Sequence, residues 1–379
     1  MTILSTYRFF SDLSKTAVKA HKISERILVL ESDDWGSIRS SSKGNYDRLC
    51  ELGWPMGLSP LNFDALETSD DLAAMLDTLH SFRDGHGNPA CLTANTILAN
   101  PDFERIRMSD FKSYHYIPVV ESIKDDPLRK DLPALWVQGI NQRTYLPQLH
   151  AREHICWWRW LEALRRGSEE ARVTFEMRMC GVPLSSSKEN QSFFTPLYVE
   201  NKELLHFQVD LKTLIEDGYR LFIETFGFPP LSTVPPNHYW SDEAEMIWAK
   251  LGIRYIQGAA RQKMGSGEID VKPHTRFHFS GEKNIHNMVY LVRNVAFEPC
   301  LSPGINWVKK AMKKIQFAFW NHQPAIINTH RFNYIGSINR ANREYGLEQL
   351  SYLLQGVIKK WPDVIFMNSP ALGRDLEAT

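Results

Sequence analysis

Apolar and polar positions along the chain alternate between two spacings. Short β-branched and aliphatic runs, typical of buried strands, recur between longer segments with the spacing of an amphipathic helix. The runs predict strands at 27–30, 90–98, 134–140, 231–234, 253–256, 324–328 and 364–367. The longer segments predict helices at 5–20, 70–82, 147–167, 203–217, 241–250, 305–320 and 346–360. This strand and helix alternation predicts an α/β fold and favours a single barrel.

The same pattern predicts how the chain is divided. Residues 1–25 are expected to form an N-terminal helical extension, and 26–379 a single barrel domain. Two polar stretches, near 181–202 and 259–290, interrupt the alternation and are predicted to be insertions. The second has the composition of an excursion or hairpin rather than a barrel unit.

Charge and cysteine content narrow the function classes. Lys plus Arg equals Asp plus Glu, 44 each, so bulk electrostatics do not favour nucleic acid as a partner. Five cysteines without a CxxC pair argue against a disulfide framework and against a cysteine zinc site. The first 25 residues lack the apolar run of a signal peptide, and no later stretch has the length of a membrane span. We therefore expect a cytoplasmic protein.

Candidate chemistry lies in two separated segments. Asp33 and Asp34 follow the first predicted strand, and His150 and His154 are four residues apart on a predicted helix. That spacing places both imidazoles on one helix face, and together with a carboxylate they can supply three ligands to a divalent metal. Each feature also has a structural interpretation, since Asp-Asp is common in turns and a histidine pair is common on a solvated helix.

The order of these and other motifs resembles the polysaccharide deacetylase family, also called the NodB-homology or carbohydrate esterase family 4 group. The resemblance covers most of the chain. It is carried by Asp33-Asp34, the strand Pro89-Ala90-Cys91-Leu92-Thr93, the pair His150 and His154, the steps Pro235-Pro236 and Leu251-Gly252, and Ile327-Asn328-Thr329-His330.

The resemblance implies a distorted (β/α) barrel that hydrolyses an acetyl group on a sugar or glycan intermediate with a divalent metal. By motif position, the metal ligands would be Asp34, His150 and His154, the general base Asp33 and the general acid His330. Zinc is the expected metal, and cobalt, nickel, manganese and iron suit the same ligands. Six residues near these motifs are candidates for substrate binding, namely Trp35, Pro236, Asn237, His238, Tyr239 and Arg331.

Departures from the family pattern leave two alternatives open. Ala151 replaces the usual Ser or Thr, Glu31-Ser32 replaces Thr-Phe, and Val234 replaces the arginine before the Pro-Pro step. Arg331 or Arg293 could take over the role of that arginine. If neither does, the chain could be an inactive carbohydrate-binding barrel. His150-x-x-Glu153-His154 also fits an inverted zinc-peptidase motif, with Glu153 as base.

Overall fold

The computed structural model describes residues 19–56, 60–180, 182, 184, 208–265 and 272–378. Nine parallel strands form its central sheet: β1 (Ile27–Trp35), β2 (Leu92–Ile97), β5 (Tyr145–Ala151), β6 (Ser232–Thr233), β7 (Tyr255–Gly258), β10 (Val289–Val292), β11 (Val295–Ala296), β12 (Ala325–His330) and β13 (Ile365–Met367). Their order is β10-β7-β6-β5-β2-β1-β12-β11, and β13 pairs with the beginning of β1. The curled sheet is the predicted barrel architecture.

The strands form because their residues suit burial on both faces. All nine residues of β1 are buried, from the aliphatic run that begins at Ile27 to the polar residues that precede Trp35. Strands covered on both faces are apolar throughout rather than alternating, as β1 is over its first half. The polar residues are confined to its carboxyl end, which is where α/β sheets bind ligands.

Twelve helices lie outside the sheet in the described part of the chain. They are α1 (Lys43–Glu51), α2 (Ser69–His80), α3 (Phe103–Met108), α4 (Val119–Ile123), α5 (Leu132–Asn141), α6 (Trp157–Arg165), α7 (Glu169–Glu176), α8 (Leu211–Phe226), α9 (Asp242–Lys250), α10 (Trp307–Trp320), α11 (Arg340–Lys360) and α12 (Ser369–Ala378). Local sequence sets several of their ends. Thr68 and Asp71 form a capping box at α2, and the Ser241 side chain caps α9.

One predicted strand is wrong. Residues 134–140 lie within helix α5, whose buried positions are Leu132, Trp136 and Gly139. This spacing of four and three is helical, and Pro133 stands in the first turn, where its missing N–H has no cost. A Cβ at Gly139 would lie 2.7 Å from the Cβ of Tyr145, so the helix packs closely on the sheet only because this residue is glycine.

The second predicted insertion forms a hairpin. Strands β8 (Arg261–Met264) and β9 (His274–Phe277) pair antiparallel, outside the central sheet. A further small pair is formed by β3 (Ala99–Pro101) and β4 (Tyr116–Pro118). The predicted helix at 5–20 and the insertion near 181–202 lie largely outside the described residues, so the division into a 1–25 extension and a 26–379 domain stays a prediction.

No helix in the described ranges has both the length and the apolar character needed to cross a membrane.

Candidate metal and catalytic site

A cavity of about 550 Å³ opens at the carboxyl edge of the parallel sheet. The strand ends of β1, β5 and β12 contribute Asp33, Asp34, His150 and His330 to its wall. Segments after the strands complete it with Arg39, Leu61, His154, Pro235, Asn237, His238, Glu298, Leu301 and Phe332, and strand β8 adds Lys263. All five residues assigned to metal binding and catalysis by motif position therefore line one cavity.

Asp34, His150 and His154 form a compact cluster in this cavity. One potential ligand atom from each residue lies within 4.8 Å of the others. Asp34 Oδ1 is 3.5 Å from His150 Nε2 and 3.9 Å from His154 Nε2. Asp34 has a φ of 75°, a conformation uncommon for a non-glycine residue, and the pairing of β1 with β2 shifts register there. The strand end is thus bent where the carboxylate is presented.

Three features of the cluster fit a divalent metal. Asp34 Oδ1 is buried and has no hydrogen-bond partner among the described residues, while Oδ2 accepts from Arg39 at 3.0 Å. His150 Nδ1 lies 2.7 Å from the Val234 carbonyl, which selects the tautomer that leaves Nε2 free as a ligand. Burial, the largest influence, lowers the pKa of His154 to about 3 despite the opposing charge of Asp34, so this imidazole is neutral.

The predicted helix over 147–167 is wrong in its first half. His150 lies in strand β5 and His154 in the turn that follows, while helix α6 begins at Trp157. Residues 145–151 pair with β2, and backbone hydrogen bonds to Ala151 and Arg152 continue past the strand end. The two imidazoles meet because the chain turns after Ala151, which has a φ of 140°, and not because they share a helix face.

Asp33 is held by a guanidinium. Arg293 Nη1 donates to Asp33 Oδ2 at 2.6 Å and Nη2 to Oδ1 at 2.7 Å, and Asn95 donates to Oδ1 at 2.8 Å. Burial raises the pKa of Asp33, but the charge and hydrogen bonds of Arg293 outweigh burial and hold the pKa well below its usual range. Of the two arginines considered as replacements at Val234, Arg293 therefore makes the contact.

His330 is paired with a carboxylate that no sequence motif indicated. Its Nδ1 lies 2.6 Å from Glu298 Oε1, and Glu298 Oε2 accepts from Asn333 at 2.6 Å. Burial alone would lower the pKa of His330, whereas the charge and hydrogen bond of Glu298 raise it to about 9. Glu298 was missed because the two-residue strand β11 just before it is too short to show a periodic signal.

Two residues predicted to bind substrate are instead part of the interior. Trp35 is fully buried, donates its indole N–H to Ser32 at 3.0 Å and packs edge-on against Tyr145. Arg331 is also fully buried and pairs with Asp64 and Glu67. Neither side chain lines the cavity, so neither is positioned to contact a ligand there.

Residues 235–239, which contain the Pro-Pro step, lie partly in the cavity wall and partly in the protein interior. Asn237 and His238 line the cavity together with Pro235, and both have positive φ, 54° and 60°. Pro236 and Tyr239 are buried and do not line it. The predicted contribution of this segment thus narrows to two of the four residues proposed from the sequence.

The zinc-peptidase alternative does not fit the geometry. Glu153 is buried and accepts from Arg152 at 2.6 Å and 2.9 Å, and it does not line the cavity that His150 and His154 share. Residues 150–154 are not helical, so the helix that would place both histidines and Glu153 around one metal in that motif is not formed.

Several solved structures are similar to this chain. A proposed glycoside hydrolase/deacetylase from Parabacteroides distasonis aligns over 94% of this chain and 72% of its own, with a TM-score of 0.50 and 9% identity. A proposed polysaccharide deacetylase from Mycobacterium smegmatis covers 95% and 94%, with a TM-score of 0.43 and 8% identity. The allantoinase Puue covers 94% and 92%, with a TM-score of 0.43 and 9% identity. No family model and no curated protein matches the sequence.

At 9% identity, the likeness to the Parabacteroides structure establishes the fold alone. The predicted distorted (β/α) barrel is confirmed. The chemistry has to be argued from the residues of this chain.

Proposed function

We propose that the protein is a metal-dependent hydrolase that removes an acetyl group, N-linked in preference to O-linked, from a sugar or sugar-containing intermediate. The observation that carries the proposal is the convergence of three potential metal ligands with an ionised carboxylate and a protonated imidazole around one cavity. A binding module would not require a carboxylate with a lowered pKa, Asp33, beside an imidazole with a raised pKa, His330.

The donor set supports a resident metal. Asp34, His150 and His154 offer one oxygen and two nitrogens, the mixed set that suits zinc and leaves coordination positions for water and substrate. When bound, a divalent cation supplies polarisation of the acetyl carbonyl and a more acidic water. Arg39 orients Asp34 by donating to Oδ2, and the Val234 carbonyl orients His150 through Nδ1.

Asp33 and His330 divide the proton transfers. Asp33 accepts a proton from the attacking water, whose oxygen forms the new bond to the acetyl carbon. His330, protonated below about pH 9, gives its Nε2 proton to the departing nitrogen as the C–N bond breaks. The products are acetate and a free amine, and Glu298 holds the imidazole in position through Nδ1. Arg293 keeps Asp33 ionised and oriented.

The cavity also offers an apolar wall for the acetyl group or a sugar face. Phe332 stacks near His330, with ring centroids 6.1 Å apart, and Leu61 and Leu301 line the same cavity. His238 can act as a neutral donor, because burial lowers its pKa to about 3 and its Nδ1 accepts from the Ala259 N–H at 3.4 Å. Its Nε2–H is then available to a substrate oxygen.

The test combines metal content with acetate release. Elemental analysis of the purified wild type should find about one equivalent of divalent metal, which the His150→Ala/His154→Ala variant should lose. Acetate release should then be measured on matched N-acetylated and O-acetylated amino sugars. We expect hydrolysis by the wild type, with N-acetyl substrates preferred, and none by the variant.

A matched control uses two exposed histidines, in the variant His80→Ala/His86→Ala, which should retain both metal and activity. Loss of metal in both variants would contradict the assigned ligands. A wild type that binds metal but releases no acetate from any substrate would support the inactive carbohydrate-binding barrel.

A further inference from the structure

Lys263 reaches the cavity from the hairpin outside the central sheet. It lies on β8, pairs with Thr275 of β9, and its carbonyl accepts from the Trp240 N–H at 3.2 Å. Its ammonium lies 5.1 Å from the centroid of the Tyr239 ring, a cation–π contact that restrains the long side chain. Backbone and side chain are therefore both held at the cavity wall.

Among the described residues, the charges around the cavity are paired except at this lysine. Each of the three carboxylates in the wall has a cationic partner within 3.0 Å: Asp33 with Arg293, Asp34 with Arg39, and Glu298 with His330. Two of these cations are shared, since Arg293 also contacts Glu31 and Arg39 also contacts Asp64. Lys263 forms no ion pair with any carboxylate in the described ranges of the chain, although it lines the same cavity. The ammonium of Lys263 is therefore the charged group of this wall that has no counter-ion in the described part of the chain.

Holding an unpaired ammonium in a partly buried position has a free-energy cost. Burial lowers the pKa of Lys263, the direction expected where no nearby carboxylate offsets the desolvation of an ammonium. The aromatic ring offsets part of this cost, and an anion in the cavity would offset more. A lysine at this position is therefore easier to explain by a ligand than by the stability of the hairpin.

We propose that Lys263 binds an oxyanion group of the substrate, a phosphate or a carboxylate carried by the acetylated sugar. The inference rests on the proposed function and narrows its substrate class from acetylated sugars in general to anionic ones. Lys263 acts as a specificity residue in this role, since it supplies a point charge without fixing the geometry of the anion. His238, which also lines the cavity, can donate a second hydrogen bond.

The test compares charged and neutral substrates in three proteins. Values of kcat/KM are measured for N-acetylglucosamine, N-acetylglucosamine 6-phosphate and N-acetylneuraminic acid in the wild type, Lys263→Met and the control Lys272→Met, which removes an exposed lysine. The wild type should prefer one of the two anionic substrates about tenfold, the factor that a charge-assisted contact of about 1.4 kcal/mol produces. Lys263→Met should abolish the preference, mainly through KM.

Lys263→Arg should restore much of the preference, because it returns the charge, and Lys272→Met should leave the preference unchanged. Which anionic substrate responds identifies phosphate or carboxylate as the recognised group. If the ratio of anionic to neutral kcat/KM is the same in wild type and Lys263→Met, the inference is overturned while the deacetylase activity stands. The inference is equally overturned if Lys263→Met changes only the inhibition by the product acetate.

A binding measurement separates the inference from the proposed function. Calorimetric Kd values for N-acetylglucosamine 6-phosphate and N-acetylneuraminic acid do not require turnover. Weaker binding of either ligand to Lys263→Met, with no acetate released by any protein, would refute the deacetylase and leave the anion site in place. Equal Kd values for wild type and Lys263→Met would refute the proposed anion site.

Discussion

Two buried arginines serve two different purposes in this fold. Each guanidinium lies between two carboxylates: Arg293 between Glu31 and Asp33, and Arg331 between Asp64 and Glu67. Burial would lower the pKa of both arginines, but the neighbouring carboxylates raise it, so both stay charged. Only the first cluster reaches the cavity, because Asp33 lines its wall. The second cluster is enclosed.

Nearness in sequence to a proposed catalytic residue therefore does not by itself place a side chain in the cavity. Arg331 follows His330 directly, yet it begins a short 3-10 turn and its side chain is fully buried. Arg293 follows β10 and belongs to no motif, yet it contacts the proposed base. Arg39 connects the clusters, since it contacts Asp34 at 3.0 Å and Asp64 at 3.3 Å.

The greatest loss of activity should come from removing the charge on the cavity side. Asp33→Asn should lower kcat about 10²- to 10⁴-fold, because the amide cannot accept the proton of water. Glu67→Gln makes the same change in the enclosed cluster and should reduce stability while leaving kcat nearly unchanged. Acetate release under saturating substrate gives the kcat of both variants. Equal losses of kcat would mean that the two clusters do not differ in role.

A loss of stability should follow from opening the enclosed cluster. Arg331→Met leaves the buried Glu67 without its cationic partner and Asp64 with Arg39 alone, so the free energy of unfolding should fall by about 3–5 kcal/mol. Arg340→Met removes an ion pair with Glu344 whose side chains are largely exposed, and should cost less than about 1 kcal/mol. Urea unfolding followed by tryptophan fluorescence measures both. A small effect for Arg331→Met would show that the enclosed cluster is not structural.

A more modest change, a shift in pH dependence, is expected at the third charged pair. Unlike the arginines, His330 titrates in a measurable range, because Glu298 raises its pKa from 6.5 to about 9. Activity should fall as the pH rises through about 9, where the acid loses its proton. In Glu298→Gln the alkaline limb of kcat/KM should move to lower pH, since the neutral amide no longer stabilises the imidazolium.

The same raised pKa has a consequence for stability. The pairing of protonated His330 with Glu298 contributes fully to the free energy of unfolding below pH 6.5. This contribution disappears as the pH rises through about 9, the pKa of His330 in the folded protein. The difference in unfolding free energy between wild type and Glu298→Gln should therefore shrink across this interval. An alkaline limb that stays in place in Glu298→Gln would exclude His330 as the acid that Glu298 tunes.

Local patterns along the chain were sufficient to predict the class of fold and the types of residue at the site. Alternating apolar runs and helical segments were sufficient to predict the parallel α/β barrel. A strand buried on both faces is apolar throughout, and a helix buried on one face has apolar residues at helical spacing, so both are visible in the local sequence. The motif order was enough to select Asp33, Asp34, His150, His154 and His330, which the structure brings to one cavity. The helix assigned to the two histidines and the strand at 134–140 were wrong, since short apolar segments fit either period.

The partners that complete those residues depend on the assembled sheet. Arg293 lies 260 positions from Asp33 along the chain, and Glu298 lies 32 from His330. Strand pairing brings them together, and no local pattern records that pairing. The sheet also sets which side chains turn away, so that Trp35 and Arg331 are buried while Lys263 reaches the cavity from a hairpin. Side-chain direction at a strand end follows from register and bend, and both are properties of the whole sheet rather than of any one strand.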